Sequence, residues 1–236
     1  MTAIPPRNYP LGNKIRTIGS CGLTPKQDKV GYLLRIRLMQ VLTNGQSLSD
    51  TCDMRWIFAL CLLAAPAAAD VCDDLWFTRN LIMDRAGFCF GSALGQAQFD
   101  NRDCIGKNVS IDQQTQNFVA QIQSFERRLE CRVNTGQPVL DLKDAHIRRT
   151  LDNLPLADEF QSACLGWKGA PTPLYAGLGT QSRIIGYIMP GDRVGFGHIP
   201  AGDWSYVTAS GPDWQPHAGG WLFCAVGFEA CTDWAG

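Results

Sequence analysis

Ten cysteines and three histidines are the residues of this 236-residue chain with the most chemistry to offer, and their spacing decides which chemistry. A zinc site wants closely spaced ligands such as a Cys-x2-Cys pair. Beyond residue 69 the nearest cysteines, Cys224 and Cys231, stand seven apart, and His146, His198 and His217 are scattered without ligand spacing. A nucleophilic cysteine needs an activating base within reach. No Cys/His motif, nucleophile elbow, paired-carboxylate signature or phosphate loop is present. No catalytic residue, metal or other cofactor is therefore assigned, and the chain reads as a non-enzyme. The alternative is an envelope hydrolase or accessory subunit whose Cys/His chemistry follows no familiar pattern.

What remains for the cysteines is disulfide chemistry, which needs an oxidising compartment. Residues 54–69 provide the route. Arg55 precedes an apolar run from Trp56 to Ala65, and Ala67-Ala68-Ala69 ends it, which are the three parts of a secretory signal peptide. The expected cut falls near Ala69, giving a periplasmic or extracellular protein. The apolar run is shorter than the roughly 20 residues a bilayer span requires, and Asp70, Asp73 and Asp74 close it. The mature form should carry no stable membrane span. Lipid attachment is disfavoured, because Leu60 precedes Cys61 and Val71 precedes Cys72 where a small residue is wanted. Residues 1–53 are read as an upstream extension with translation starting at Met54; the competing idea is a cytoplasmic tail before an anchor.

The charge divides at the same place. Residues 1–55 hold 8 Lys/Arg against 3 Asp/Glu, and 56–236 hold 13 against 19, although the whole chain carries only −1. That balance has no basic stripe for nucleic acid. Export removes Cys21, Cys52 and Cys61 and leaves seven cysteines. The proposed pairs are Cys72–Cys131 and Cys89–Cys104, with Cys164 taking Cys231 or Cys224. The odd cysteine is free or joins two chains, so the oligomeric state stays open.

Stepping from these residues to the elements that carry them, Leu75, Trp76, Arg79, Ile82 and Met83 recur at spacings of three and four, an amphipathic helix. Asp73 and Asp74 occupy its first turn, and Gly87 supplies a left-handed stop. Ser110 and Gln113 fit a capping box before the apolar face Phe118, Val119, Ile122, Phe125 and Leu129. A third helix is expected over about 140–151. Arg79, Asn80 and Arg85 invite an anion-site reading. The plainer reading is that they pair with the acidic first turn and cap loop carbonyls.

Leu75-Trp76-Phe77-Thr78-Arg79-Asn80, followed by Met83-Asp84-Arg85-Ala86-Gly87-Phe88, resembles the bacterial YARHG domain. Gly87-Phe88-Cys89-Phe90 and Asn101-Arg102-Asp103-Cys104 are similar to an exported bacterial family with added cysteines. The resemblance covers roughly 72–132 and implies an extracytoplasmic domain with no assigned chemistry. Ala86 stands where the motif has its His, so any role of that His is absent.

After Pro155 a Gly- and Pro-rich stretch, 155–172, reads as a linker, and the pattern then changes to short apolar runs between turns. Strands are expected at 174–176, 183–189, 193–198, 204–209 and 220–226. Pro173-Leu174-Tyr175-Ala176-Gly177, Pro190-Gly191-Asp192, Asp203-Trp204-Ser205-Tyr206-Val207 and Gly220-Trp221-Leu222 resemble a bacterial SH3-like domain. The resemblance implies binding of an envelope peptide, cell-wall fragment or protein partner without catalysis. Trp204, Val207 and Trp221 are expected in the core, and Tyr175, Tyr206 and Trp214 in the ligand groove. His198 and His217 are read as solvated loop residues. The expected fold class is α+β: a disulfide-linked helical domain over 70–154, then a small SH3-like β-barrel over 173–236.

Overall fold

The computed structural model describes residues 67–223 and 228–236. The expected extension at 1–53, the signal segment up to Pro66 and Cys224 lie outside the described residues. Helix α1 (Ala67–Arg85) is the central element of the helical half. Val71, Leu75, Trp76, Phe77, Leu81 and Ile82 are buried on it, and so are the polar Asp74, Thr78 and Asn80. A helix apolar over most of its circumference must sit inside rather than on the surface. Its end follows the glycine signal: Gly87 has φ 85°, Gly87 N donates to Asp84 O, and Phe88 N donates to Met83 O. That pair of bonds is the Schellman arrangement.

Two short pieces follow, α2 (Ala93–Gln98) and a 3-10 turn (Asn101–Asp103), before α3 (Gln113–Arg128). The cap of α3 is Asp112 rather than Ser110. Asp112 Oδ1 accepts from Thr115 N at 2.9 Å and Oδ2 from Thr115 Oγ1 at 2.6 Å. A carboxylate two residues nearer the helix serves two donors, where the serine hydroxyl would serve one. The third expected helix shrinks to one turn, α4 (Ala145–Arg148).

Seven antiparallel strands complete the chain: β1 (Ala157–Trp167), β2 (Thr172–Tyr175), β3 (Ile184–Ile188), β4 (Arg193–His198), β5 (Trp204–Ser210), β6 (Pro216–Phe223) and β7 (Cys231–Ala235). They form one open sheet in the order β3-β2-β6-β5-β4-β1-β7. The expected five-stranded small barrel is replaced by this open seven-stranded sheet, because the stretch read as a linker contains β1 and the last residues add β7 beside it. The registers of β1 with β4 and β7 carry the sheet past β4. Pro155 and Gly166 flank or interrupt that strand, and they concealed it.

Three disulfides hold this arrangement: Cys72–Cys131 ties α1 to the end of α3, Cys89–Cys104 closes the loop around α2, and Cys164–Cys231 joins β1 to β7. Cys231 is thus the partner of Cys164. The buried apolar cluster runs from Val71, Leu75 and Phe77 through Ile122 and Leu151 to Tyr206 and Trp221, so helices and sheet share a core. Val207 and Trp221 are buried as expected, and Trp204 is half-buried.

Candidate functional site

The floor of the site is set by α1, α4 and two strands. Asp74 comes from the third turn of α1, Asp144 caps α4 and Arg148 ends it at the i, i+4 spacing, His198 ends β4, and Tyr206 lies within β5. Arg148 is 1% exposed. Its guanidinium makes a two-pronged ion pair with Asp74, its Nε donates to Asp144 Oδ2 at 2.9 Å, and its Nη1 donates to Thr78 Oγ1 at 3.2 Å. Tyr206 Oη donates to the same Asp144 oxygen at 2.8 Å. His198 Nε2 lies 2.9 Å from Asp74 Oδ2 and 2.9 Å from Arg148 Nη2.

Burial opposes the Asp74 charge, yet Arg148 and His198 beside it hold the carboxyl well below the usual carboxylate range. Desolvation likewise works against the Arg148 cation, and the carboxylates of Asp144 and Asp74 more than reverse it. Burial, reinforced by the Asp144 charge, pushes the Tyr206 phenol well above its ordinary value. A buried charge is tolerated when it is paired and its remaining hydrogen-bond positions are filled. Among the described residues no buried side-chain nitrogen or oxygen lacks a partner.

Above this floor opens a cleft of about 580 Å³ between the helical segments and the sheet. Its sheet wall is built of small side chains, including Ala163, Gly195 and Thr208, which are neighbours in register across β1, β4 and β5. A Cβ on Gly195 would stand 3.0 Å from Thr208 Oγ1, so a larger residue there would crowd the wall. Trp214 stands at the rim, 41% exposed, in the turn between β5 and β6. Its φ of 58° is unusual for a bulky residue and has to be enforced by its surroundings. The Arg193 guanidinium lies 4.8 Å from the indole centroid while its Nη1 donates to Pro212 O at 2.6 Å, so one side chain holds both the turn and the ring.

The three expected groove residues part company. Trp214 lines the cleft. Tyr206 is 1% exposed and belongs to the floor, which corrects its assignment to a groove: a buried phenol beside a carboxylate serves the core. Tyr175 packs edge-on against Trp204 at 5.6 Å and lies outside the cleft lining. His198 is likewise no solvated loop residue, since its side chain is 9% exposed and bonded to Asp74. His217 is half exposed and contacts Asp192 Oδ1 at 3.1 Å.

The polar trio of α1 is committed elsewhere. Arg79 Nε donates to both Glu126 oxygens at 3.1 Å, Asn80 Nδ2 to Trp76 O, and Arg85 Nη2 to Leu151 O. The helix begins at Ala67, so Asp73 and Asp74 lie two turns inside it and not in its first turn, and the partner of Asp74 is Arg148, which sequence reasoning passed over. One signal for it was present: an Asp four residues before an Arg in a helical segment is a pairing pattern. Nothing local pointed to Asp74, which lies 74 residues away.

Among the described residues no helix is long and apolar enough to cross a membrane, and no group of three or more His, Cys, Asp or Glu side chains converges as a metal site would require. In comparison with known families, residues 55–127 match the YARHG domain, and residues 130–236 match a domain of unknown function (DUF4453). The YARHG match meets the resemblance of residues 72–132. No curated protein matches the chain, and no solved structure does.

Proposed function

We propose that the protein is an exported, non-catalytic binding protein that takes an envelope peptide or cell-wall fragment into the cleft between its helices and its sheet. The observation that carries this reading is Trp214, an exposed indole held in a strained backbone conformation at the rim of a cleft with a small-residue wall. Strain of that kind persists where surrounding contacts over-determine it, and it gathers at ligand-contacting positions. An aromatic side chain offers a large, stiff contact area with a polar handle, as peptide recognition requires.

Binding is favoured over catalysis because the ionisable groups of the floor are spent on one another: Arg148 on two carboxylates, Tyr206 on Asp144. The three disulfides support an oxidising compartment and hence export through residues 54–69. Strands β2 to β6 hold the segments that resemble an SH3-like domain, a second support for peptide binding.

Titration calorimetry with soluble muropeptides tests the reading. Trp214→Ala should weaken binding at least about tenfold, the loss of one aromatic anchor, while Tyr175→Ala leaves affinity unchanged. A wild-type protein that binds no muropeptide, or equal binding by the Trp214 variant, would overturn it.

A further inference from the structure

The lining of the cleft divides by charge. Asp74, Asp141, Lys143, Asp144 and Arg148 come from the helical side, and from Ala157 onward the lining contains no Asp, Glu, Lys or Arg. The sheet wall instead offers uncharged polar groups, among them Thr208 of β5 and Gln161 of β1. Neither the Thr208 hydroxyl nor the Gln161 amide is hydrogen-bonded to another described residue. Gln161 is exposed; Thr208 is half-buried, yet no buried side-chain nitrogen or oxygen lacks a partner among the described residues, so its hydroxyl reaches solvent.

Strand register fixes the face on which that hydroxyl stands. Gly195, Thr208 and Gly219 are paired across β4, β5 and β6, and residues paired in this way share one face of a sheet. A Cβ on Gly219 would meet Ile147 Cγ2 of α4 at 3.2 Å, so the shared face is the one toward the helices and the cleft. A Cβ on Gly195 would stand 3.0 Å from Thr208 Oγ1, which sets the hydroxyl beside a bare stretch of β4. On the other flank, a Cβ on Gly197 would stand 3.4 Å from Gln161 Cγ and 3.9 Å from its Nε2.

A hydroxyl and a primary amide can each donate and accept. Strands β5 and β1 lie on opposite sides of β4, about 9.6 Å apart at the usual strand spacing. A single ligand hydroxyl cannot reach both flanks. A secondary amide can, because it is planar and directs its N–H and C=O in opposite directions. The backbone at Gly195 and Gly197, bare of Cβ atoms, leaves room for such a group to lie flat.

We propose that Thr208 and Gln161, on either side of Gly195 and Gly197, bind a neutral secondary amide of the ligand. The proposal rests on the binding function inferred above and adds polar contacts to the aromatic one at Trp214. A peptide bond of a stem peptide and the N-acetyl group of an amino sugar both present this chemistry.

Thr208→Val keeps the side-chain shape and removes the hydroxyl. In titration calorimetry with soluble muropeptides its affinity should fall about five- to tenfold, the value of one hydrogen bond. Gly195→Ala, which sets a methyl against that hydroxyl, should weaken binding as well. Wild-type affinity in Thr208→Val, beside a Trp214→Ala variant that has lost binding, would overturn the assignment and leave the cleft reading standing. Should Thr208→Val not fold, Gln161→Ala at its exposed position carries the same two outcomes. The stem peptide alone and an N-acetylglucosamine oligomer alone separate the two sources. The probe whose binding depends on Thr208 supplies the amide, and dependence in neither overturns the proposal. A wild-type protein that binds no muropeptide removes the functional reading and this assignment with it.

Discussion

Arg148 is the residue on which the interior depends. It is one cation between two buried carboxylates, and the attraction repays desolvation only while all partners remain. Arg148→Met keeps much of the side-chain volume but strands Asp74 and Asp144 without their counter-ion. Chemical denaturation should find the variant about 3–5 kcal/mol less stable, the range for breaking a buried pair from one side. A loss below about 1 kcal/mol would mean that the carboxylates find water instead. The roles of single residues were poorly legible in the sequence. Tyr206 and Trp214 look alike as aromatic residues near turns, yet one is buried beside Asp144 and the other stands at a rim. Residue type declares what a side chain can do; burial decides whether it does it in the core or on a ligand.

At the scale of elements, local chemistry was a good guide wherever the governing interaction spans few residues. The Gly87 stop is such a case: left-handed backbone is expensive for a residue with a Cβ, and a Cβ here would also meet Ile105 Cγ1 at 2.9 Å. Gly87→Ala should therefore lower stability by about 1–2 kcal/mol, read from the shift in urea midpoint at unchanged slope. An unchanged midpoint would count against the strain. The same local logic placed α3 but misjudged its cap by two residues, because Asp112 and Ser110 are both acceptable capping types. Strands β1 and β7 were missed for another reason. They lack alternation, with burial along β1 changing from exposed to buried in blocks, and their register depends on partners far along the chain.

For the molecule as a whole, the shared core joins helices and sheet, and the Asp74–Arg148–His198 contacts bridge the two across it. Unfolding followed by far-ultraviolet dichroism, weighted to the helices, and by tryptophan fluorescence should give coincident transitions. Two separated midpoints would show that the halves are stable independently. The Asp74 carboxyl has a folded-state value depressed below its ordinary 3.8, so its contribution is present in full above about that pH and is lost as pH falls through the depressed value. Tyr206 has the opposite sign: with its folded value raised above 10.0, its contribution is intact below pH 10 and is lost as pH rises beyond it. Thermal midpoints across pH should thus form a plateau with acid and alkaline shoulders. Asp74→Asn should flatten the acid shoulder, and an unaltered shoulder would remove Asp74 from that role.

By itself the sequence determined two of the three disulfides, with Cys164 narrowed to Cys231 or Cys224, the helix of the YARHG-like segment with its glycine stop, and the approximate places of the five strands β2 to β6. Each follows from spacing or turn chemistry acting over a few residues. Tertiary structure alone decided that the linker is a strand, that the helices share a core with the sheet, and that Asp74, Asp144, Arg148, His198 and Tyr206 meet under a cleft. Those outcomes rest on contacts between residues up to 124 positions apart. Such contacts depend on burial and electrostatic balance in the folded chain, and no local pattern encodes them.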